Sequence, residues 1–203
     1  MTRSPRSRRL GGEFFARSAP AVARDLLGCL LVHQTAQGLC SGRIVETEAY
    51  LAEGDPASHS HAGRTSRNAS MFERPGVAYV YRIYGVHCCF NVSTGREGRG
   101  EAVLVRALEP LRGLELQRRR RGALDPRALC SGPGKLVQAL GLGLEHDGRS
   151  LLSGPLGIWC DDHDVGDVEI TARIGITKAR DLPLRFVVRA SPFVSRRSAM
   201  RAR

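Results

Sequence analysis

Residues 43–59 read Arg-Ile-Val-Glu-Thr-Glu-Ala-Tyr-Leu-Ala-Glu-Gly-Asp-Pro-Ala-Ser-His, and the reading of this stretch decides the rest. Gly42 to Val45 is β-branched and free of breakers, which predicts a strand. If the strand runs on through Tyr50, a period of two places Glu46, Glu48 and Tyr50 on one face and Val45, Thr47 and Ala49 on the other. Ionised glutamates are seldom buried unless paired, so periodicity alone predicts a solvated face of an antiparallel sheet. The continuation argues otherwise. Gly54-Asp55-Pro56 is a turn that delivers His59 and His61 close behind the strand, and a carboxylate, a ring and an imidazole brought together are parts for acid–base chemistry on a flat substrate.

Moving outward, 203 residues suffice for one domain with a hydrophobic core. The formal charge is +11 and the pI about 10.2, and of the 31 basic residues only Lys135 and Lys178 are lysines. Arginine offers planar bidentate donors that suit phosphate, which favours a polyanionic partner, with nucleic acid ahead of a membrane surface. No apolar run reaches the roughly 18 residues a bilayer span needs. Six cysteines without a Cys-x-x-Cys spacing argue against zinc ribbons, clusters and disulfide scaffolds. With no apolar secretory core near the N-terminus, an intracellular, reduced protein is expected.

The first 12 residues are basic and rich in breakers, and a disordered tail is expected there, with one domain over 13–203. Ser18-Ala19-Pro20 opens a helix that Gly28 closes. Cys29 to Thr35 and Leu39 to Tyr50 pair around Gln37-Gly38. Arg64 to Ser70 is a polar loop able to touch phosphate. After the Arg74-Pro75-Gly76 turn, alternation puts Tyr79, Tyr81 and Ile83 on one strand face and Val80, Arg82 and Tyr84 on the other; Gly85 turns the chain back into Val86 to Val92. All four tyrosines of the chain are Tyr50, Tyr79, Tyr81 and Tyr84. β-propensity is the plain explanation, yet aromatics interleaved with cations also form a stacking platform for bases. Ala102 to Ala107 is a strand carrying Arg106, a surface charge or the partner of a buried carboxylate such as Glu48. Leu114 to Arg121 is a short helix. Ser131-Gly132-Pro133-Gly134-Lys135 lacks P-loop spacing, but before the helix at Leu136 to Leu140 it suits one backbone phosphate. Residues 141–167 read as surface connections, Val168 to Ile176 and Leu184 to Val188 as closing strands, and Ser195 to Arg203 as a second basic tail.

Taken together these residues resemble the alkyladenine (3-methyladenine) DNA glycosylase family of the type first known from mammals, distinct from helix-hairpin-helix glycosylases. The resemblance spans roughly residues 18 to 196. It rests on Arg43-Ile-Val-Glu-Thr-Glu-Ala-Tyr50, His59-Ser60, Met71-Phe72 with Arg74-Pro-Gly76, Tyr79-Val-Tyr81 with Tyr84-Gly85, Asn91, Val105-Arg-Ala-Leu-Glu-Pro110, Leu129-Cys-Ser-Gly-Pro133 with Lys135, Pro183-Leu-Arg-Phe186 and Ser191-Pro-Phe-Val-Ser195. It implies an α+β domain around a curved antiparallel β-sheet with a projecting β-hairpin. It implies Glu48 as the carboxylate that activates water and Arg106 as a holder of that water. Tyr50, His59 and Tyr81 would sandwich a flipped base, Asn91 would crowd the position of guanine's 2-amino group, and Tyr84 would fill the gap left in the duplex. Glu46 matches the motif with no catalytic role. Phe193 and Val86 to Phe90 depart from the family's usual residues. The expected activity is monofunctional hydrolysis of damaged purines from double-stranded DNA by a monomer, without cofactor, metal or membrane. Two rivals stand beside it: a metal-dependent nuclease using Glu46, Glu48, Glu53, Asp55, His59 and His61, and a non-catalytic nucleic-acid binding module.

Overall fold

The structure, a computed structural model, describes residues 7–195. In chain order it contains β1 (Arg8–Arg9), α1 (Gly12–Phe15), α2 (Ala19–Asp25), β2 (Leu30–Thr35), β3 (Gly38–Tyr50), β4 (Ala78–Ile83), β5 (His87–Thr94), β6 (Glu101–Arg112), α3 (Leu114–Arg121), α4 (Pro126–Leu129), α5 (Pro133–Leu140), β7 (Leu156–Cys160), β8 (Val168–Thr171) and β9 (Arg185–Val188). The strands form one open antiparallel sheet in the order β1-β7-β2-β3-β6-β5-β4, with β9 joined to β3 and β8 joined to β9. This is an α+β domain with few, short helices.

The thirteen residues of β3 are the spine. One edge pairs with β6 from Ser41 to Tyr50. The other edge pairs with β2 over Gly38–Arg43 and with β9 over Glu46–Glu48. Helices α2 and α5 cover one face, where Val22, Leu26, Ile44, Phe90, Val105, Leu108, Leu136 and Leu140 form the main core. A smaller cluster of Met71, Tyr79 and Ala102 forms separately.

A register irregularity decides what β3 presents to each face. Cys40 and Ile44 belong to the main core, and so does Ala49, while Thr47 Oγ1 donates to the carbonyl of Ala23 in α2 at 2.7 Å. The core face therefore changes from even to odd positions between Ile44 and Thr47. The β3–β6 register shifts at that point, on both sides of Glu46. Such bulges re-aim side chains. Here the bulge turns Glu46, Glu48 and Tyr50 away from the helices, onto the face that sequence alternation assigned them. Burial departs from the solvated expectation: Glu46 and Glu48 have no exposed surface at all. Gly42 supports the close crossing just before the bulge, since a Cβ there would lie 2.8 Å from that of Leu108.

Three elements differ from sequence expectation. Of the basic segment expected as a tail over residues 1–12, residues 1–6 lie outside the described residues. Arg8–Arg9 pair with β7, the Arg9 guanidinium stacks over Trp159 at 4.5 Å, and Leu10 enters the core. The stretch expected as surface connections over 141–167 contains β7, an interior strand between β1 and β2 whose Leu156 and Ile158 are buried; its Gly157 and the Asp-rich sequence after it mask the strand pattern. The strand expected from Val168 to Ile176 stops at Thr171, because Arg173 turns inward to an ion pair. Of the second tail, Ser195 contacts Glu46 and residues 196–203 lie outside the described residues.

Candidate active site

On the face of β3 that carries the carboxylates lies a cavity of about 780 Å³. The sequence-predicted residues Tyr50, His59, Tyr81, Tyr84, Asn91, Arg106, Ser131, Gly132 and Lys135 all line it. Glu48 lies immediately behind that surface, bonded to three of its wall residues. The Tyr50 hydroxyl donates to Glu48 Oε2 at 3.0 Å, Arg106 Nη1 donates to the same oxygen at 3.1 Å, and the Ile174 amide donates to Oε1 at 2.8 Å. The pairing of Arg106 with a buried carboxylate is thus present, and it is double: Arg106 Nε also donates to Glu46 Oε1 at 3.0 Å.

Glu46 is bound differently. Its carboxylate also accepts from Arg185 Nε at 2.8 Å, from the Ser195 amide at 2.7 Å and from the Ser195 hydroxyl at 2.9 Å. Burial acts to raise its pKa, but Arg106, Arg185 and the Ser195 amide outweigh it and hold the carboxyl below the usual range. Burial likewise works against the Arg106 charge, and Glu48 and Glu46 more than restore it. Burial, and then the neighbouring Glu48, push the Tyr50 phenol well up, so it remains a donor.

The aromatic wall comes from two elements. β4 supplies Tyr79 and Tyr81, whose rings lie 5.1 Å apart and 30° from parallel. A 3₁₀ turn over His59–Ala62 supplies His59, with its ring 4.5 Å from Tyr81 and at 71° to it. His59 Nδ1 is hydrogen-bonded to the Tyr79 hydroxyl at 2.8 Å. Burial and then the Arg67 charge lower the His59 pKa, so the imidazole is neutral at neutral pH. Asn68 fastens this turn by donating to the carbonyls of His59 and Gly63. Asn91, cross-strand partner of Tyr79, donates from Nδ2 to the Tyr79 carbonyl at 3.0 Å, which fixes its side chain against the cavity.

At the mouth, β4 and β5 meet in a tight turn closed by the Val86 amide donating to the Ile83 carbonyl. Both central residues, Tyr84 (φ 49°) and Gly85 (φ 71°), are left-handed, the pattern of mirror-image hairpin turns. Glycine adopts this conformation freely; tyrosine does so at a cost of about 1–2 kcal/mol. This residue is 88% exposed. Across the mouth, Lys135 Nζ donates to Ser131 Oγ at 3.3 Å, beside Gly132 at the start of α5.

Sequence reasoning gave no role to Arg173, Arg185 or Ser195, although the last two lie in motifs that carry the resemblance, and none to Asp55 as a structural residue. Asp55 is not available as a metal ligand, since Arg173 binds both its oxygens at 2.6 Å. Glu46 and Glu48 are held by arginines, and Glu53 and His61 are exposed. Among the described residues no three His, Cys, Asp or Glu side chains group as a metal site. The signal that suggested a partner for Arg106, an arginine within an apolar strand, was equally present at Arg173 and Arg185.

The sequence model of methylpurine-DNA glycosylases matches residues 13–192. The chain belongs to the methylpurine-DNA glycosylase family. A relative from Methanoculleus marisnigri is 55% identical over 192 residues, covering 93% of this chain and 99% of its own length. One from Rhodopseudomonas palustris (strain HaA2) is 50% identical, covering 90% and 88%, and one from Carboxydothermus hydrogenoformans is 46% identical, covering 91% and 97%. Each carries "3-methyladenine DNA glycosylase" in its name. No helix among the described residues is long and apolar enough to cross a membrane.

Proposed function

We propose that this glycosylase removes alkylated purines of the 3-methyladenine type from duplex DNA by hydrolysis, with the damaged nucleotide flipped into the cavity behind the Tyr84 hairpin. The observation that carries this reading is the placement of Glu48 and Arg106 at an aromatic-walled cavity whose mouth bears an exposed tyrosine and several cations. Tyr50 takes one face of the base, and His59 and Tyr81 the other. Extruding a base costs a few kcal/mol, and stacking contributes ~1–3 kcal/mol per base, so two aromatic walls can offset the extrusion. Tyr84 enters the duplex to replace the lost stack, a use that fits a ring held exposed in a strained turn. Ser131, Gly132 and Lys135 hold a backbone phosphate.

In the chemical step, Glu48 takes a proton from a water held with Arg106. The water oxygen forms a bond to the sugar C1′ as the bond from C1′ to the purine nitrogen breaks, and the bonding pair leaves with the base. A cationic alkylated base becomes neutral on leaving and needs no general acid. The carboxylate also stabilises the positive charge that develops on the sugar. The partners of Glu48 are a phenol, a guanidinium and a backbone amide, with no primary amine among them, and Lys135 stands at the mouth; the reaction is therefore assigned as hydrolysis without strand cleavage. The test is chromatography of bases released from an alkylated duplex: 3-methyladenine release with unnicked strands supports the reading. No release above the Glu48→Gln background refutes it.

A further inference from the structure

Beyond Glu48, β3 loses its β9 neighbour: the last register pair is Glu48 with Arg185, followed by one bond from the Ala49 amide to the Leu184 carbonyl. From there the segment after β8 takes over. Arg173 Nη1 donates to the Ala49 carbonyl at 3.0 Å, and its guanidinium stacks on the Tyr50 ring at 4.6 Å. The next residue, Ile174, places its amide on Glu48 Oε1. Two consecutive residues of this segment thus grip three consecutive residues of β3. Arg173 has no exposed side-chain surface, and Tyr50 stands in the cavity wall, so the arginine supports the ring from behind.

What fixes Arg173 is Asp55, in a bidentate pair with both side chains fully buried. Asp55 also accepts from the amides of Leu51 and Ala57, which ties down the loop leading to His59. Burial would raise its pKa, and the Arg173 and backbone hydrogen bonds more than reverse this, so the pair is ionic. A buried ion pair is a poor device for stability, since an apolar pair of equal volume does as well or better. Its planar, bidentate geometry is instead suited to fixing position.

We propose that Arg173, held by Asp55, is a positioning residue of the active site: it sets the Tyr50 ring and the Ile174 amide, and through them the orientation of Glu48, without touching substrate. The proposal rests on the reading of Glu48 as the base. Its test compares wild type, Arg173→Lys and the double variant Asp55→Asn/Arg173→Gln, which buries no orphan charge. Single-turnover base release and affinity for duplex containing an unreactive abasic-site analogue are measured at a temperature where all three are fully folded. Displacing a reacting group by ~1 Å can cost about 100-fold, so release should fall about 10- to 100-fold in the double variant. Arg173→Lys should be intermediate, and affinity should change less than about threefold, the split expected of misplaced chemistry.

Release within threefold of wild type in the double variant overturns the proposal, as do parallel losses of rate and affinity, or failure of both variants to fold. Glu48→Gln, run alongside, separates the two claims. Undiminished release there removes Glu48 as the base and the proposal with it, whereas an inactive Glu48→Gln beside an indifferent double variant removes only the role of Arg173.

Discussion

Two carboxylates two residues apart on β3, both fully buried and both bonded to Arg106, sit in opposite circumstances. A carboxylate has about four acceptor positions. Glu46 accepts four hydrogen bonds, three on Oε1 from Arg106, Arg185 and the Ser195 hydroxyl and one on Oε2 from the Ser195 amide, drawing together β3, β6, β9 and the segment that follows β9. Glu48 accepts three among the described residues, two on Oε2 and one on Oε1, and two of its three partners are side chains facing the cavity. The carboxylate tied to Arg185 and Ser195 joins distant segments of the chain, whereas the partners of the other stand in the cavity wall. Identical chemistry on one strand face is divided by what the rest of the chain brings to it.

The strongest attempt to break this contrast is Glu48→Gln. The amide keeps the size and can neither take a proton nor stabilise a cationic sugar. Base release should fall by about 10³-fold, within the usual worth of general base catalysis together with electrostatic stabilisation, while affinity for damaged duplex holds within a small factor. If Glu48→Gln retains more than a few per cent of the single-turnover rate, the division between the two carboxylates is wrong and Glu46 is the next candidate.

The cavity side should also differ from the Glu46 side in what it leaves untouched. Tyr84→Ala removes an exposed ring and leaves the left-handed backbone with the same Cβ, so Tm should hold. Excision from duplex should slow by about 10-fold, the equivalent of ~1–2 kcal/mol of lost stacking, with single-stranded substrate much less affected because it has little stack to repair. Equal losses on both substrates remove the wedge assignment. Asn91→Ser probes pocket shape: shortening the side chain should raise 3-methylguanine release relative to 3-methyladenine by up to about 10-fold, what a change of pocket shape can supply. Because Asn91 also bonds the Tyr79 carbonyl, a parallel loss of both rates would instead mark it as a residue that holds β4.

Much of this site was legible before folding because strand alternation is local. Glu46, Glu48 and Tyr50 share a face, as a period of two requires, and so do Tyr79 and Tyr81. What alternation could not give is the bulge at Glu46, which reverses the strand's core parity, or the partners that make two buried glutamates tolerable. Arg185, Arg173 and Ser195 lie more than 110 residues from the carboxylates they serve, or from the loop aspartate beside them. Their pairing follows from sheet order, which no local pattern encodes. β7 was hidden for a plainer reason: a glycine inside it and Gly- and Asp-rich flanks gave a five-residue interior strand the composition of a loop.

The smallest effect, and the one that isolates Glu46, is in the acid limb of stability. Its carboxyl is held below the usual range in the folded protein, so the folded state binds its proton less readily than the unfolded chain does. The resulting stabilisation is complete above the unfolded value of about 4.3 and is lost as pH falls through the depressed folded value. Asp55, depressed as well, adds loss in the same direction. Wild-type Tm should therefore decline as pH is lowered from about 5 towards 2. Glu46→Gln cannot lose a charge it does not carry: its Tm should start several degrees lower at pH 7 and fall less steeply, so that the two curves converge in acid. The residual slope in the variant then belongs to Asp55 and the remaining carboxylates. Tm curves that run parallel from pH 7 to pH 2 would mean that Glu46 is not the ionised hub of the site. The four hydrogen bonds would then have to be explained by a neutral acid, and the contrast with Glu48 would lose its basis.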